Sequence, residues 1–330
     1  MRSEQELLAE INAELPPLDW HQGAKDYVDH FFDKFGREPI ERLAFTKPLS
    51  DVTPEDPVGS ITEIASYAHN FANTIELLRL NRGARVLDVA CGGGWVSHWL
   101  SKIGYRTLGI DISSEFVDLA RRRVELDPHL HLPPEEIAAM FAVHNLELDE
   151  TPDHLKGVFD VAVLESCLHH FVNPIDALRH VREMLKDDGL VLILEGENRQ
   201  GAIPQPYLDV MLETRTLERP YPRRLLVEVF EHAGFPHYEF MGVVNGFFPE
   251  SAPLSRAISQ RLADSTNGAN NCVISASPDA IRRIIPSFGA VPDDPPAEIG
   301  PVGVEGAHAP PQKLSLLFKI RWKLRRIFGG

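Results

Sequence analysis

Between residues 85 and 195 the chain alternates short apolar runs with amphipathic segments, and this alternation constrains its fold more than any other feature. The runs RVLDVA (85–90), RTLGI (106–110), MFAVH (140–144), FDVAVL (159–164) and LVLILE (190–195) have the length and composition of strands. Segments near 95–103, 114–126 and 175–186 read as helices, the last stopped by Asp188-Gly189. Continuously apolar strands separated by amphipathic helices imply an α/β fold, a doubly wound and mostly parallel sheet covered on both faces. A helix over 222–234 and strands over 237–244 and 271–276 are expected to complete it.

Around this core the punctuation changes. Ser3 and Glu6 have capping-box spacing, and Leu7, Leu8, Ile11 and Leu15 follow at helical intervals. Prolines 16, 17, 39, 48, 54 and 57 then break the chain, so residues 1–60 read as an N-terminal helical cap. The core domain is expected over 61–278, with a substrate lid or insertion over 199–250. A Pro/Gly-rich linker is expected over 279–312, with seven prolines between 286 and 311, and a basic amphipathic helix over 313–330.

No run of 18 apolar residues occurs, and the N-terminus is charged throughout, so the protein is expected in the cytoplasm. Cys91, Cys167 and Cys272 are scattered, which suits reduced thiols. The net charge of −15 disfavours nucleic acid as a partner. It divides unevenly, with +6 on residues 313–330 and −21 on the first 312. In that tail Leu316, Leu317, Ile320, Leu324, Ile327 and Phe328 share an arc of about 120°, with Lys319, Lys323 and Arg326 on the other side and Arg321 and Arg325 flanking it. This pattern suits a helix lying on an anionic membrane, peripheral to its inner face; a partner protein or the acidic body is the rival surface.

The stretch VLDVACGGGWVSHWL runs from a strand through three glycines straight into a helix. In a doubly wound sheet the ligand sits at such a turn. Gly92, Gly93 and Gly94 allow a ligand close to the backbone, and the helix start offers free N–H groups. The third glycine of a dinucleotide fingerprint is missing. Asp88 would repel a pyrophosphate but attract a ligand carrying an ammonium group, such as the amino-acid end of S-adenosylmethionine with its sulfonium. Asp111, 23 residues on, is placed to accept hydrogen bonds from ribose hydroxyls. Asn145 suits an adenine edge, with Ile112 and Leu146 packing on the ring.

The motifs VLDVACGGG, GIDIS and FDVAVLESCLHHF, in this order, resemble class I S-adenosylmethionine-dependent methyltransferases over residues 60–278. The resemblance implies a seven-stranded Rossmann-like sheet, with cofactor contacts at Asp88, Gly92, Gly94, Asp111 and the third-strand polar residue. Ala90 stands where glycine is commonest, and His144-Asn145 where Gly-Asp is usual.

Methyl transfer needs an aligned acceptor and, for a hydroxyl, a base. Glu165, His169 and His170 follow the fourth strand and are the catalytic candidates; packing is the other reading of the histidines. Glu195, Glu197 and Asn198, with His144, suit a polar acceptor pocket. Tyr207, Arg215, Arg219 and Tyr221 are placed to grip an anionic or sugar-like substrate, and Trp20, His21, Tyr27 and Tyr67 to close the cleft. His129 and His131 read as solvated loop residues, and no metal is expected. The expected acceptor is a small or lipid-linked molecule, first a glycan hydroxyl at the membrane face, with a quinone or other prenylated ring as the alternative. A cofactor-binding protein without turnover is a further alternative, and an NAD-dependent oxidoreductase is disfavoured by Asp88.

Overall fold

Seven strands form one sheet: β1 (Arg85–Val89), β2 (Arg106–Asp111), β3 (Phe141–Val143), β4 (Phe159–Glu165), β5 (Leu185–Leu194), β6 (His237–Phe240) and β7 (Cys272–Ser275). Their spatial order is β3-β2-β1-β4-β5-β7-β6. The first five are parallel, and β7 runs antiparallel to both β5 and β6. This computed structural model describes residues 2–49, 57–196, 203, 205–219, 221–242 and 270–289. The tail 313–330 and most of the proline-rich linker lie outside the described residues.

Two-residue periodicity sends alternate strand residues to two apolar layers. Leu87, Val89, Ala162, Leu164, Val191 and Ile193 face one layer. It is completed by α9 (Pro174–Met184), α11 (Arg223–His232) and α1 (Glu4–Asn12). Val86, Val161, Val163, Leu190 and Leu192 face the other, with α5 (Pro57–Leu78), α6 (Trp95–Lys102) and α12 (Pro278–Ile284). Full burial of a side chain such as Phe230 or Leu178 contributes about 1.5–3 kcal/mol, so these layers dominate stability.

Local signals set the helix ends. The side chain of Ser3 accepts the Glu6 N–H in the expected capping box. Asn173 caps α9 through the Ile175 and Asp176 N–H groups, with Pro174 in the first turn where its missing donor costs nothing. That helix ends at Met184, earlier than the expected 186, because Leu185 already pairs with Phe159. The strand then shifts register before resuming opposite Val161, so Asp187-Asp188-Gly189 lies within β5 and does not cap the helix.

Three expected boundaries move. The N-terminal segment is not one cap: Leu7 and Ile11 of α1 lie in the main core, and at its surface Arg2 pairs with Glu228 of α11. Only α2 (Trp20–Lys25), α3 (Tyr27–Phe35) and α4 (Arg37–Thr46) roof the carboxyl edge of the sheet, packing on α7 (Ser114–Glu125) and α10 (Gln205–Thr214). Within 199–250, α11 and β6 belong to the sheet layers, leaving α10 and the segment that follows it to Arg219 as the main described part of the insertion. Ala280 and Ile281 are buried, so the folded body continues past 278 into what reads as linker. The short α8 (Pro134–Ala139) closes the Pro-rich stretch after the exposed His129 and His131.

Candidate active site

Strand order reverses between β1 and β4, and a cavity of about 280 Å³ opens beyond their carboxyl ends. Asp88, Gly92, Asp111, Glu165, His170 and Glu218 supply its polar wall. The roof and flanks are apolar and aromatic, with Tyr27 and Phe31 from α3, Phe116 from α7, and Tyr67 and Trp95 from α5 and α6. Tyr27 and Tyr67 therefore close the cleft as expected, whereas Trp20 packs on Met211 and Leu217, and His21 pairs with Glu147 at 3.1 Å.

The turn after β1 is wound left-handed at Ala90 (φ 50°), Gly92 (φ 51°) and Gly94 (φ 70°). Ala90 holds a conformation that glycine adopts without cost, a local strain beside the site. The glycines have different duties. A Cβ on Gly92 would meet open space, so its backbone is the part a ligand can approach. A Cβ on Gly94 would lie 2.6 Å from the Ala120 Cβ and 2.8 Å from the Phe141 ring. Gly94 thus seats the turn against α7 and β3, while Gly92 and Gly93 line the cavity.

Both expected aspartates reach the cavity. Asp88 Oδ2 accepts the Ser97 N–H (3.0 Å) and hydroxyl (2.8 Å). Burial pushes its carboxyl up to about 7, against the pull of those two donors. Asp111 accepts the Gly92 N–H on Oδ2 (2.8 Å) and the Ser113 N–H on Oδ1 (2.9 Å), tying the second strand to the glycine turn. Burial raises it to about 6 despite these bonds. Glu165 is raised by burial as well, with Asn70 donating at 3.2 Å and the Lys47 charge opposing the shift. Three carboxyl groups made reluctant to ionise in one aromatic-walled cavity favour a cationic occupant.

Ile112 lines the cavity, but the other expected ring contacts do not. Leu146 is buried in the main core. Asn145 is buried at the end of β3: its Oδ1 accepts the Glu147 N–H, and its Nδ2 has no partner among the described residues. His144 likewise stays outside the cavity wall, 3.8 Å from Asp149.

The two histidines differ sharply. His169 Nδ1 lies 2.6 Å from Glu195 and its Nε2 lies 3.4 Å from Glu218. Burial opposes its charge, but the carboxylates prevail and push it up to about 10. Both carboxylates hold the His169 ring in place and favour its protonated form. His170 is lowered by burial and by its neighbour's charge, and donates Nδ1–H to the Leu217 carbonyl. Glu195 sits under His169 and holds its backbone N–H at 3.2 Å. Glu197 and Asn198 lie outside the described residues.

Two of the residues expected to grip substrate, Arg219 and Tyr221, bind backbone carbonyls instead. Arg219, 3% exposed, donates to the carbonyls of Ile11 (2.6 Å), Phe171 (2.5 Å) and Val172 (3.3 Å) and to Asn12 Oδ1 (2.8 Å). The Tyr221 hydroxyl donates to the same Phe171 carbonyl. Arg215 is exposed, with its backbone pressed against Gly23, and Tyr207 does not line the cavity. Sequence reasoning missed Glu218, Lys47, Trp95 and Phe116, which occupy helices and turns whose local pattern carries no chemical motif.

A family model described as a methyltransferase domain matches residues 63–238. The ubiquinone biosynthesis O-methyltransferase of Actinobacillus pleuropneumoniae is 32% identical over 109 residues, covering 33% of this chain and 44% of that protein. The enzyme of the same name from Xanthomonas campestris pv. campestris is 32% identical over 120 residues, covering 36% and 46%. The chain thus spans less than half the length of these relatives. Among solved structures, the geranyl diphosphate C-methyltransferase of Streptomyces coelicolor A3(2) has a TM-score of 0.47 and 15% identity, covering 78% of this chain and 98% of that one.

Proposed function

The chain belongs to the methyltransferase-domain family, and from that premise we propose that it transfers a methyl group from S-adenosylmethionine to an oxygen of a hydroxylated ring. The observation that carries the reading is the cavity beyond β1 and β4, where Asp88, Asp111 and Glu165 meet an aromatic roof. When bound, the cofactor supplies an electrophilic methyl group on a positively charged sulfur. Asp111, held by the glycine turn, orients the ribose hydroxyls, and Gly92 brings backbone within reach of the amino-acid end. Ser97 occupies one oxygen of Asp88, leaving Oδ1 for the ammonium group.

As the new carbon–oxygen bond forms, the acceptor hydroxyl must release its proton. Glu165 lies at the end of β4 in the cavity wall, and its raised affinity for a proton suits it to receive one. Closure by α3 and α4 excludes water, which would otherwise solvate the carboxylates and weaken their hold on a cation.

The apolar walls around Phe31, Ile40, Leu43 and Phe116 offer few hydrogen bonds to a sugar. They support a quinol-like or otherwise prenylated ring over the glycan hydroxyl, and the names of the two relatives favour the same class. The basic tail 313–330 would bring such a lipid-soluble acceptor to the enzyme at a membrane surface. Incubating quinol-containing lipid extracts and glycan extracts with isotopically labelled methyl donor tests this: label in an O-methylated ring supports it, and label only in glycan overturns the acceptor class.

A further inference from the structure

We propose that His169, His170 and Glu218 form a binding site for a divalent first-row transition ion in the cavity wall. One ligand atom from each residue lies within 4.8 Å of the others. The sequence presents the histidines as adjacent residues on a short helical turn (Leu168–His170), their rings 4.1 Å apart between centroids. Glu218 arrives from the segment after α10, so the cluster forms only when that segment docks on the sheet edge.

Orientation is the stronger argument. A metal-binding imidazole presents one nitrogen while an acceptor fixes the other. His169 Nδ1 is held by Glu195 at 2.6 Å, which leaves Nε2 at 3.4 Å from the Glu218 carboxylate. Two donors with bonds of about 2.1 Å to one ion at a near-tetrahedral angle stand about that far apart. His170 Nδ1–H is held by the Leu217 carbonyl, so its remaining lone pair is on Nε2. Glu195 and Leu217 thus already supply the outer partners that a metal site requires, Glu218 supplies the anionic ligand, and the ion would take the place of the proton that His169 Nε2 otherwise shares with Glu218, releasing it to solvent.

Two imidazole nitrogens and one carboxylate oxygen select borderline ions such as Zn2+, Co2+ or Fe2+ over Mg2+ and Ca2+, which take oxygen ligands. Three protein ligands leave positions open to the cavity that His170 and Glu218 line. An acceptor hydroxyl bound there would be oriented and made more acidic. This last role rests on the methyl-transfer reading, whereas metal binding does not.

Equilibrium dialysis of the chelator-treated full chain against Co2+, with visible absorption of the bound ion, tests the site. The expected result is one equivalent bound with d–d bands of a nitrogen- and oxygen-ligated ion, and at least tenfold weaker binding in both His170→Gln and Glu218→Gln. Circular dichroism and thermal unfolding establish that each variant is folded, and two variants on different segments guard against loss of one. No bound equivalent in the wild type, or binding that a folded variant leaves intact, overturns the site. Titrating the wild type with S-adenosylmethionine alone separates the two readings: cofactor binding without Co2+ binding overturns only the metal site, and the reverse overturns only the methyl-transfer reading.

Discussion

One oxygen of Asp88 accepts both the backbone N–H and the hydroxyl of Ser97, at 3.0 and 2.8 Å, and so fastens the end of β1 to the first turn of α6. The residue read from sequence as a ligand contact is therefore also a structural bracket. Its two duties separate by substitution. Ser97→Ala removes one buried hydrogen bond and is expected to cost about 1–2 kcal/mol in urea unfolding.

Burial raises Asp88 from 3.8 to about 7. The native state then keeps a proton that the unfolded chain releases, so this contribution is complete below pH 3.8 and is lost as pH rises through about 7. Denaturation of the ligand-free protein between these limits should show stability falling more steeply in the wild type than in Asp88→Asn. Affinity for a cationic cofactor should change in the opposite sense, strengthening as pH rises and the carboxylate ionises.

Gly92 and Gly94 should respond differently to the same methyl group. Gly94→Ala combines a left-handed backbone with contacts of 2.6 and 2.8 Å and should destabilise by about 2–4 kcal/mol. Gly92→Ala meets open space and should cost about 1–2 kcal/mol of backbone strain, while lowering cofactor affinity in calorimetry.

Arg219 joins the end of α1 and the 171–172 loop to the segment carrying Glu218. Arg219→Ala leaves several buried acceptors without a donor and should lower unfolding free energy by about 3–5 kcal/mol. A substrate-gripping arginine would instead leave stability unchanged and raise KM, so urea unfolding beside steady-state kinetics distinguishes the roles.

The basic tail gives a separate expectation. In co-sedimentation with anionic liposomes, the full chain should partition with the vesicles and a chain ending at residue 312 should not. Equal partitioning would contradict membrane attachment.

The sheet was legible because strands such as β4 and β5 bury both faces, which writes them as unbroken apolar runs. That Asp88, Gly92 and Asp111 would share one cavity wall was legible because they end two neighbouring parallel strands and the turn between strand and helix. Arg219 and Tyr221 misled because a charged or phenolic side chain looks alike in sequence whether it meets a substrate or a backbone carbonyl. Leu146 was misplaced by one turn of the chain past β3, where the segment dips into the core. Glu218 was invisible: its role exists only because a distant segment packs beside His169, and local pattern carries no record of that contact.

The most direct test of the account is calorimetric titration of the full chain with S-adenosylmethionine and, separately, with NAD. The account predicts one equivalent of S-adenosylmethionine bound, weakened in Asp111→Ala by about 1–3 kcal/mol through lost charge-assisted hydrogen bonds, and no heat from NAD. Tight NAD binding with no response to S-adenosylmethionine would contradict it.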